Sequence, residues 1–178
     1  MAKIISSFTI ASYRGIHNLT VDQLNDINLI VGDNNCGKTS VLEALLLLRA
    51  PSDFINLIRL ARVRVGSGLY TADYDNFINM ISKTDEDKGF GIHAVANGKT
   101  IQCVVQGEES RILLDPKDLS QQSGHTGMPE VKNVDENGST EAMAFNGVIK
   151  YDIGEGVHEE KLSLNEYSRF GGLQVGIH

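Results

Sequence analysis

The chain has 178 residues, 41% of them hydrophobic and 22% charged, with 18 glycines, three prolines and no tryptophan. That length supports one ordinary core, and the composition excludes a disordered, collagenous or disulfide-built chain. A formal charge of −7 removes any global basic field, so unaided binding to a nucleic-acid backbone is not expected.

In chain order, Ile4 to Ile10 alternates apolar and polar residues and predicts a strand, followed by a turn at Tyr13-Arg14-Gly15. Asn18 to Leu24 predicts a second strand, and the apolar run Ile27 to Val31 a buried third one. SVLEALLLLRA then predicts a buried helix from near Lys38, too apolar for a wide solvent face and stopped at Pro51. SDFINLIRLARVR predicts a second helix capped by Ser52, with Phe54, Leu57, Ile58 and Ala61 on its inner face and Arg59, Arg62 and Arg64 on a solvated one. DYDNFINMI predicts one further short helix, inside the segment 65–88.

From Gly89 the pattern becomes strand-rich. FGIHAVA and KTIQCVV flank Asn97-Gly98, a dipeptide that accepts the positive φ of a tight hairpin. SRILLD, after Gly107-Glu108-Glu109, predicts another strand, Pro116 to Gly138 a long polar loop, and EAMAFNGVIKYDI and VHEEKLSL two strands around Gly154-Glu155-Gly156. The expected organisation is a nucleotide core over 1–64, a connector over 65–88 and an antiparallel β-rich subdomain over 89–178, together one compact lobe.

Chemistry concentrates in GDNNCGKTS, residues 32–40. Gly32, Gly37, Lys38 and Thr39 satisfy G-x4-G-K-[ST] between a predicted strand and a predicted helix. In that setting the backbone N–H groups of residues 33–39, among them Asp33, wrap a β-phosphate at a helix N-terminus. Lys38 reaches the β- and γ-phosphates and the Thr39 hydroxyl ligates magnesium. Asn34 and Asn35 tolerate left-handed backbone in the turn. Cys36, beside the helix start, is read chiefly as a small side chain that fits, and secondly as a thiol open to modification. Cys36 and Cys103 have neither disulfide nor zinc spacing, and the N-terminus lacks the apolar core of a secretory signal. No segment is long enough to span a bilayer, so a soluble, cytoplasmic protein is expected.

FTIASYRGIHNLTVDQLNDINLIVGDNNCGKTSVLEALLLL resembles the amino-terminal stretch of ABC-type ATPases related to RecF, SMC and above all the OLD (overcoming lysogenisation defect) proteins, an AAA-type group. The likeness covers about residues 4–50. It rests on the strand, the Y/F-R-G turn, the second strand and the G-x-N-N-x-G-K-[ST] loop with its leucine-rich helix. It implies an α/β fold, a P-loop NTPase of the ABC-type N-lobe kind with a mixed sheet, one main P-loop helix and an antiparallel β subdomain. It implies ATP and magnesium as cofactors, held by Gly32, Asn34, Gly37, Lys38, Thr39 and Ser40. It also implies Arg14 near the nucleotide, with an exposed turn residue as the open alternative. A homodimer or a C-terminal lobe is the implied partner, nucleic acid binds only the complete assembly, and DNA-related or phage-defence roles follow.

Other parts of an ABC-type site are missing from the sequence. ILLDP, with Asp115, and IKYDI, with Asp152, lack the glutamate that follows a magnesium-side aspartate and fit hairpin strands better. RFGGLQ, 169–174, shares only glycines with the signature loop, and the five histidines, at 17, 93, 125, 158 and 178, have no metal spacing. Gln102 and Gln106 read as strand residues. The expectation is an N-terminal fragment or truncated protein that binds magnesium-nucleotide and completes hydrolysis only in a fuller assembly. A non-hydrolysing nucleotide-sensing module and a small P-loop kinase or GTPase stay open as alternatives, the GTPase disfavoured by the absence of an N-K-x-D stretch.

Overall fold

A computed structural model describes residues 5–62, 73–81, 88–117 and 134–168. The strands are β1 Ile5–Tyr13, β2 Ile16–Val21, β3 Gly89–Ala96, β4 Lys99–Leu114, β5 Thr140–Asp152 and β6 Val157–Asn165. The helices are α1 Lys38–Arg49, α2 Phe54–Arg62 and α3 Asp73–Ile78. All six strands form one sheet in the order β2-β1-β3-β4-β5-β6, and every neighbouring pair is antiparallel. The expected mixed sheet is therefore corrected to an antiparallel one. The buried strand expected at Ile27 to Val31 joins no ladder among the described residues.

The local chemistry of β1 explains how its core residues come to share a face. Phe8 and Ile10 alternate inward as a strand requires, and an irregularity in the pairing with β3 between Ile10 and Ser12 shifts the alternation by one, so that Tyr13 also turns inward. Tyr13 then meets Phe90 of β3 edge to face, with ring centroids 5.6 Å apart. The β3–β4 hairpin turns on Asn97 (φ 52°) and Gly98 (φ 74°), both left-handed, which is what the Asn-Gly pair is suited to adopt.

The two strands expected on either side of Gly107 are one 16-residue strand, β4. Gly107 sits directly opposite Gly147 of β5. A Cβ on Gly107 would lie 2.7 Å from the Gly147 Cα, so the two backbones approach here more closely than side chains permit. Burial changes face along the ribbon: Cys103 and Val105 of β4 are buried on one face with Phe145 and Ile149 of β5, and towards the other end Leu114 is buried with Thr140, Ala142 and Ala144 on the opposite face.

The three helices lie on one face of the sheet, their buried residues Ala44, Leu47, Leu57, Ile58 and Phe77 merging with Ile10, Ile92 and Val105. Phe77 of α3 packs edge-on against Phe145 of β5 at 5.1 Å. α1 buries Ser40, Val41, Ala44, Leu47 and Leu48, an i, i+3, i+4 stripe. Leu42 and Leu46 remain exposed, so the helix is half-buried where the sequence predicted full burial. The cap of α2 is Asp53, whose Oδ1 accepts the Asn56 N–H at 3.2 Å, not Ser52. Leu57, Ile58 and Ala61 face inward as expected, and Arg59 is exposed. The side chains of Phe54 and Arg62, Arg64, most of the polar loop from Pro116 to Gly138, and RFGGLQ at 169–174 fall outside the described residues.

Candidate functional site

The glycine loop runs from Gly32 to Gly37 between the extended 27–31 segment and α1. Its curl follows from the backbone freedom of two residues: Asn35 at φ 64° and Gly37 at φ 94° are left-handed, while Asn34 is not. Gly37 is the N-cap position of α1, and its carbonyl accepts the Val41 N–H at 3.0 Å, so the loop feeds directly into the helix. A Cβ on Gly32 would approach the Cys36 Sγ to 2.6 Å, so a larger residue here would require the cysteine side chain to turn away.

Lys38 turns back across this loop. Its Nζ donates to the Gly32 carbonyl at 2.9 Å and the Asp33 carbonyl at 2.6 Å, with the Cys36 Sγ at 3.7 Å. The ammonium is thereby held over the ring of backbone formed by residues 32–37. Asp33, Asn34, Asn35, Cys36 and Thr39 are exposed around it, whereas Ser40 is buried on the sheet side of α1. The free amide groups of a helix N-terminus, a positive charge on its own stem and a hydroxyl at the next position make a concentrated donor set for an oxyanion. The side chain of Ile16, at the start of β2, lies within 3.4 Å of where a Gly37 Cβ would be and walls the loop from the sheet.

Arg14 occupies the β1–β2 turn at φ 52°, with its N–H donating to the Met80 carbonyl at 2.9 Å. Its side chain, only 9% exposed, runs inward. Nε lies 2.8 Å from Glu43 Oε2 on α1, a contact between charges and not an aligned hydrogen bond, and Nη2 donates to the Leu60 carbonyl at 3.4 Å. Arg14 is thus buried beneath α1, not an exposed turn residue. Glu43 was missed by motif reading, though one signal pointed to it: it is the single acid in KTSVLEALLLLR.

The two aspartates weighed as magnesium-side acids serve turns. Asp115 follows β4 and its Oδ1 accepts the Lys117 N–H at 2.9 Å. Asp152 closes the β5–β6 hairpin, its Oδ1 accepting N–H groups of Gly154, Glu155 and Gly156; the bond from Gly154 above all lowers its pKa below the ordinary aspartate value. Gln102 and Gln106 are ladder residues of β4. Among the described residues no group of histidine, cysteine, aspartate or glutamate is arranged to hold a metal ion by itself. Burial pushes the Cys103 thiol up to about 12, which leaves it a core side chain, while Cys36 is exposed in the loop.

A second polar cluster lies on the helix-covered face. Tyr74 of α3 donates its hydroxyl to Glu109 Oε1 at 2.6 Å, and burial together with that carboxylate raises the phenol's pKa. Glu166 holds the Met143 N–H at 2.9 Å, and burial with the nearby Glu166 charge raises Asp75. These groups tie α3 to the β4–β5 ribbon.

A glycine loop with a lysine folded over it opens the first helix of a helix-on-sheet α/β layer. Residues 4–153 match the model of the AAA ATPase domain, and the chain belongs to that ATP-binding ATPase family. It is 42% identical over 60 residues to the uncharacterized protein MJECL10 of Methanocaldococcus jannaschii, covering 33% of this chain and 27% of that protein. It is also 42% identical over 50 residues to the DNA replication and repair protein RecF of Francisella tularensis subsp. mediasiatica, covering 28% of this chain and 14% of RecF. The matches span under a third of either relative's length. No solved structure matches. Among the described residues no helix is long and apolar enough to cross a membrane.

Proposed function

We propose that this chain is a magnesium-ATP-binding lobe whose phosphate site is Gly32 to Ser40, with Asp33, Asn34, Asn35 and Cys36 contributing backbone N–H groups and Lys38 the charge. The observation that carries the reading is the Lys38 ammonium held over its own loop by the Gly32 and Asp33 carbonyls. A group so placed neutralises β- and γ-phosphate oxygens. Thr39, exposed on the first turn of α1, would hold the magnesium ion, which would supply charge neutralisation to the nucleotide. Ser40, buried under the helix, supports the loop from below.

Hydrolysis belongs to a fuller assembly. Asp115 and Asp152 are engaged in local turns, so the carboxylates that hold magnesium and orient water come from a second lobe or a second copy. A docking seam for such a lobe is at hand: Ile27, Leu29 and Val31 are 90%, 86% and 76% exposed, and Leu42 and Leu46 are exposed on α1. Head-to-tail pairing on ATP, an OLD-like context and DNA-repair or phage-defence roles follow from the family resemblance and from the RecF relative. With a charge of −7, DNA contact falls to the assembly and not to this surface alone. The turn-bound aspartates favour a second reading, a nucleotide sensor without turnover.

The test is binding and turnover of magnesium-ATP and magnesium-GTP by the chain, with Lys38→Ala alongside. The expected result is saturable ATP binding, weakened at least about tenfold, or ~1.4 kcal/mol, in the variant, with no turnover by the isolated chain. Equal affinity in Lys38→Ala would remove the phosphate-site assignment; turnover by the chain alone would remove the need for a second lobe.

A further inference from the structure

We propose that Glu43 and Arg14 form a positioning pair that fixes the rotation of α1, and so places Lys38 and Thr39 for the nucleotide, without either side chain touching it. The proposal rests on the nucleotide site described above.

Three groups surround one guanidinium, and the backbone that carries it is pinned by a fourth contact. The turn that carries Arg14 is pinned by its N–H to Met80 O at 2.9 Å. Nε faces Glu43 of α1 at 2.8 Å, Nη2 reaches Leu60 O of α2 at 3.4 Å, and the guanidinium carbon lies 5.6 Å from the Tyr13 ring centroid. The side chains are 9% and 4% exposed, so the guanidinium is committed inward and lies away from any solvent-borne ligand. Arg14 therefore acts on the site through the helix.

Helix geometry supplies the route. Thr39 lies four residues before Glu43, one turn nearer the loop and on nearly the same flank, and Lys38 is its neighbour. Whatever fixes the azimuth of Glu43 fixes that of the Thr39 hydroxyl. Apolar contacts along Val41, Ala44 and Leu48 hold α1 to the sheet, but they are non-directional and tolerate a helix turned by several degrees. A buried ion pair is a poor device for stability alone, because desolvation offsets its attraction. What it adds is a fixed point: the guanidinium is tethered to the β1–β2 turn and to the Leu60 carbonyl, so the attraction draws Glu43, and with it α1, towards one place.

The experiment measures magnesium-dependent binding of N-methylanthraniloyl-ATP by the full chain, with thermal melts of every variant. Glu43→Gln and Arg14→Gln are each expected to weaken binding about tenfold, and the double variant no further than either single, since both remove one link. A second double variant, Arg14→Met with Glu43→Leu, replaces the pair by apolar groups and is expected to fold at least as stably as the parent yet still bind about tenfold more weakly. Wild-type affinity in that apolar double overturns the proposal, and so does its failure to fold, which would make the pair a stability element. A loss confined to Arg14→Gln, with Glu43→Gln binding normally, would make Arg14 a direct nucleotide contact instead. Lys38→Ala with wild-type affinity would overturn the nucleotide site itself, separately from the pair.

Discussion

FTIASY, residues 8–13, and INLIV, residues 27–31, are both short apolar stretches that pattern alone assigns to strands. The first is the inner strand β1, with Ile10 at 0% exposure between β2 and β3. The second lies beside the glycine loop with Leu29 at 86% exposure and no ladder partner among the described residues. The difference is one of partners and not of composition. β1 has complementary strands on both sides, β2 two residues away across a turn and β3 returning from residue 89. The 27–31 segment is held locally, by Asn25 and Asn28 bonding to each other, and its apolar side chains face solvent. The cradle is therefore carried by a lightly supported approach at one end and by a well-seated helix at the other.

The sharpest way to break this comparison is a matched pair of truncations. Ile10→Ala is expected to lower unfolding free energy by about 2–5 kcal/mol, as for a fully buried aliphatic side chain. Leu29→Ala should stay within about 0.5 kcal/mol. Equal losses in urea titration would mean that 27–31 is covered in solution. Next, Gly107→Val should cost about 1–3 kcal/mol or beyond, because its Cβ cannot fit against the Gly147 backbone. The same melt should leave nucleotide affinity unchanged, since the crossing supports the ribbon and not the loop. Tyr74→Phe, which leaves Glu109 without its phenol donor, should cost about 1 kcal/mol with affinity again unchanged. The smallest effect belongs to Asp152→Ala. Its folded-state pKa is lowered by the hairpin N–H groups, so its contribution is present above the ordinary aspartate pKa and is lost as pH falls through the lowered one. The variant should melt slightly below the parent at neutral pH and level with it in acid; a gap that persists in acid would assign the loss to packing.

These contrasts also show which parts of the molecule were legible in advance. The Asn97-Gly98 hairpin was readable because the turn is specified by two residues and nothing distant. So was the start of α1 after Gly37, where a left-handed glycine and a run of helix formers coincide. The two segments flanking Gly107 were read as separate strands because a glycine normally marks a break, and only the opposing Gly147 explains why the strand continues. Arg14 was assigned to the nucleotide by resemblance, and its engagement with Glu43 depends on residues 29 positions apart in the chain. Asp152 lies at a hairpin, as its sequence context indicates, since it stands next to the backbone N–H groups it accepts from; Asp115, expected in a strand, instead follows the end of β4 in a local turn.

By itself the sequence determined the helix that follows the glycine loop, the hairpin turns and the family, because each is written in contiguous residues and short-range backbone preference. Only the tertiary structure decided that, among the described residues, every strand pair is antiparallel, that Ile27 to Val31 joins no strand, and that Arg14 reaches Glu43. Those outcomes depend on which distant surfaces meet. A strand's hydrogen bonds and a buried charge's partner are supplied by other parts of the chain, and an apolar run carries no mark of whether such a partner will arrive.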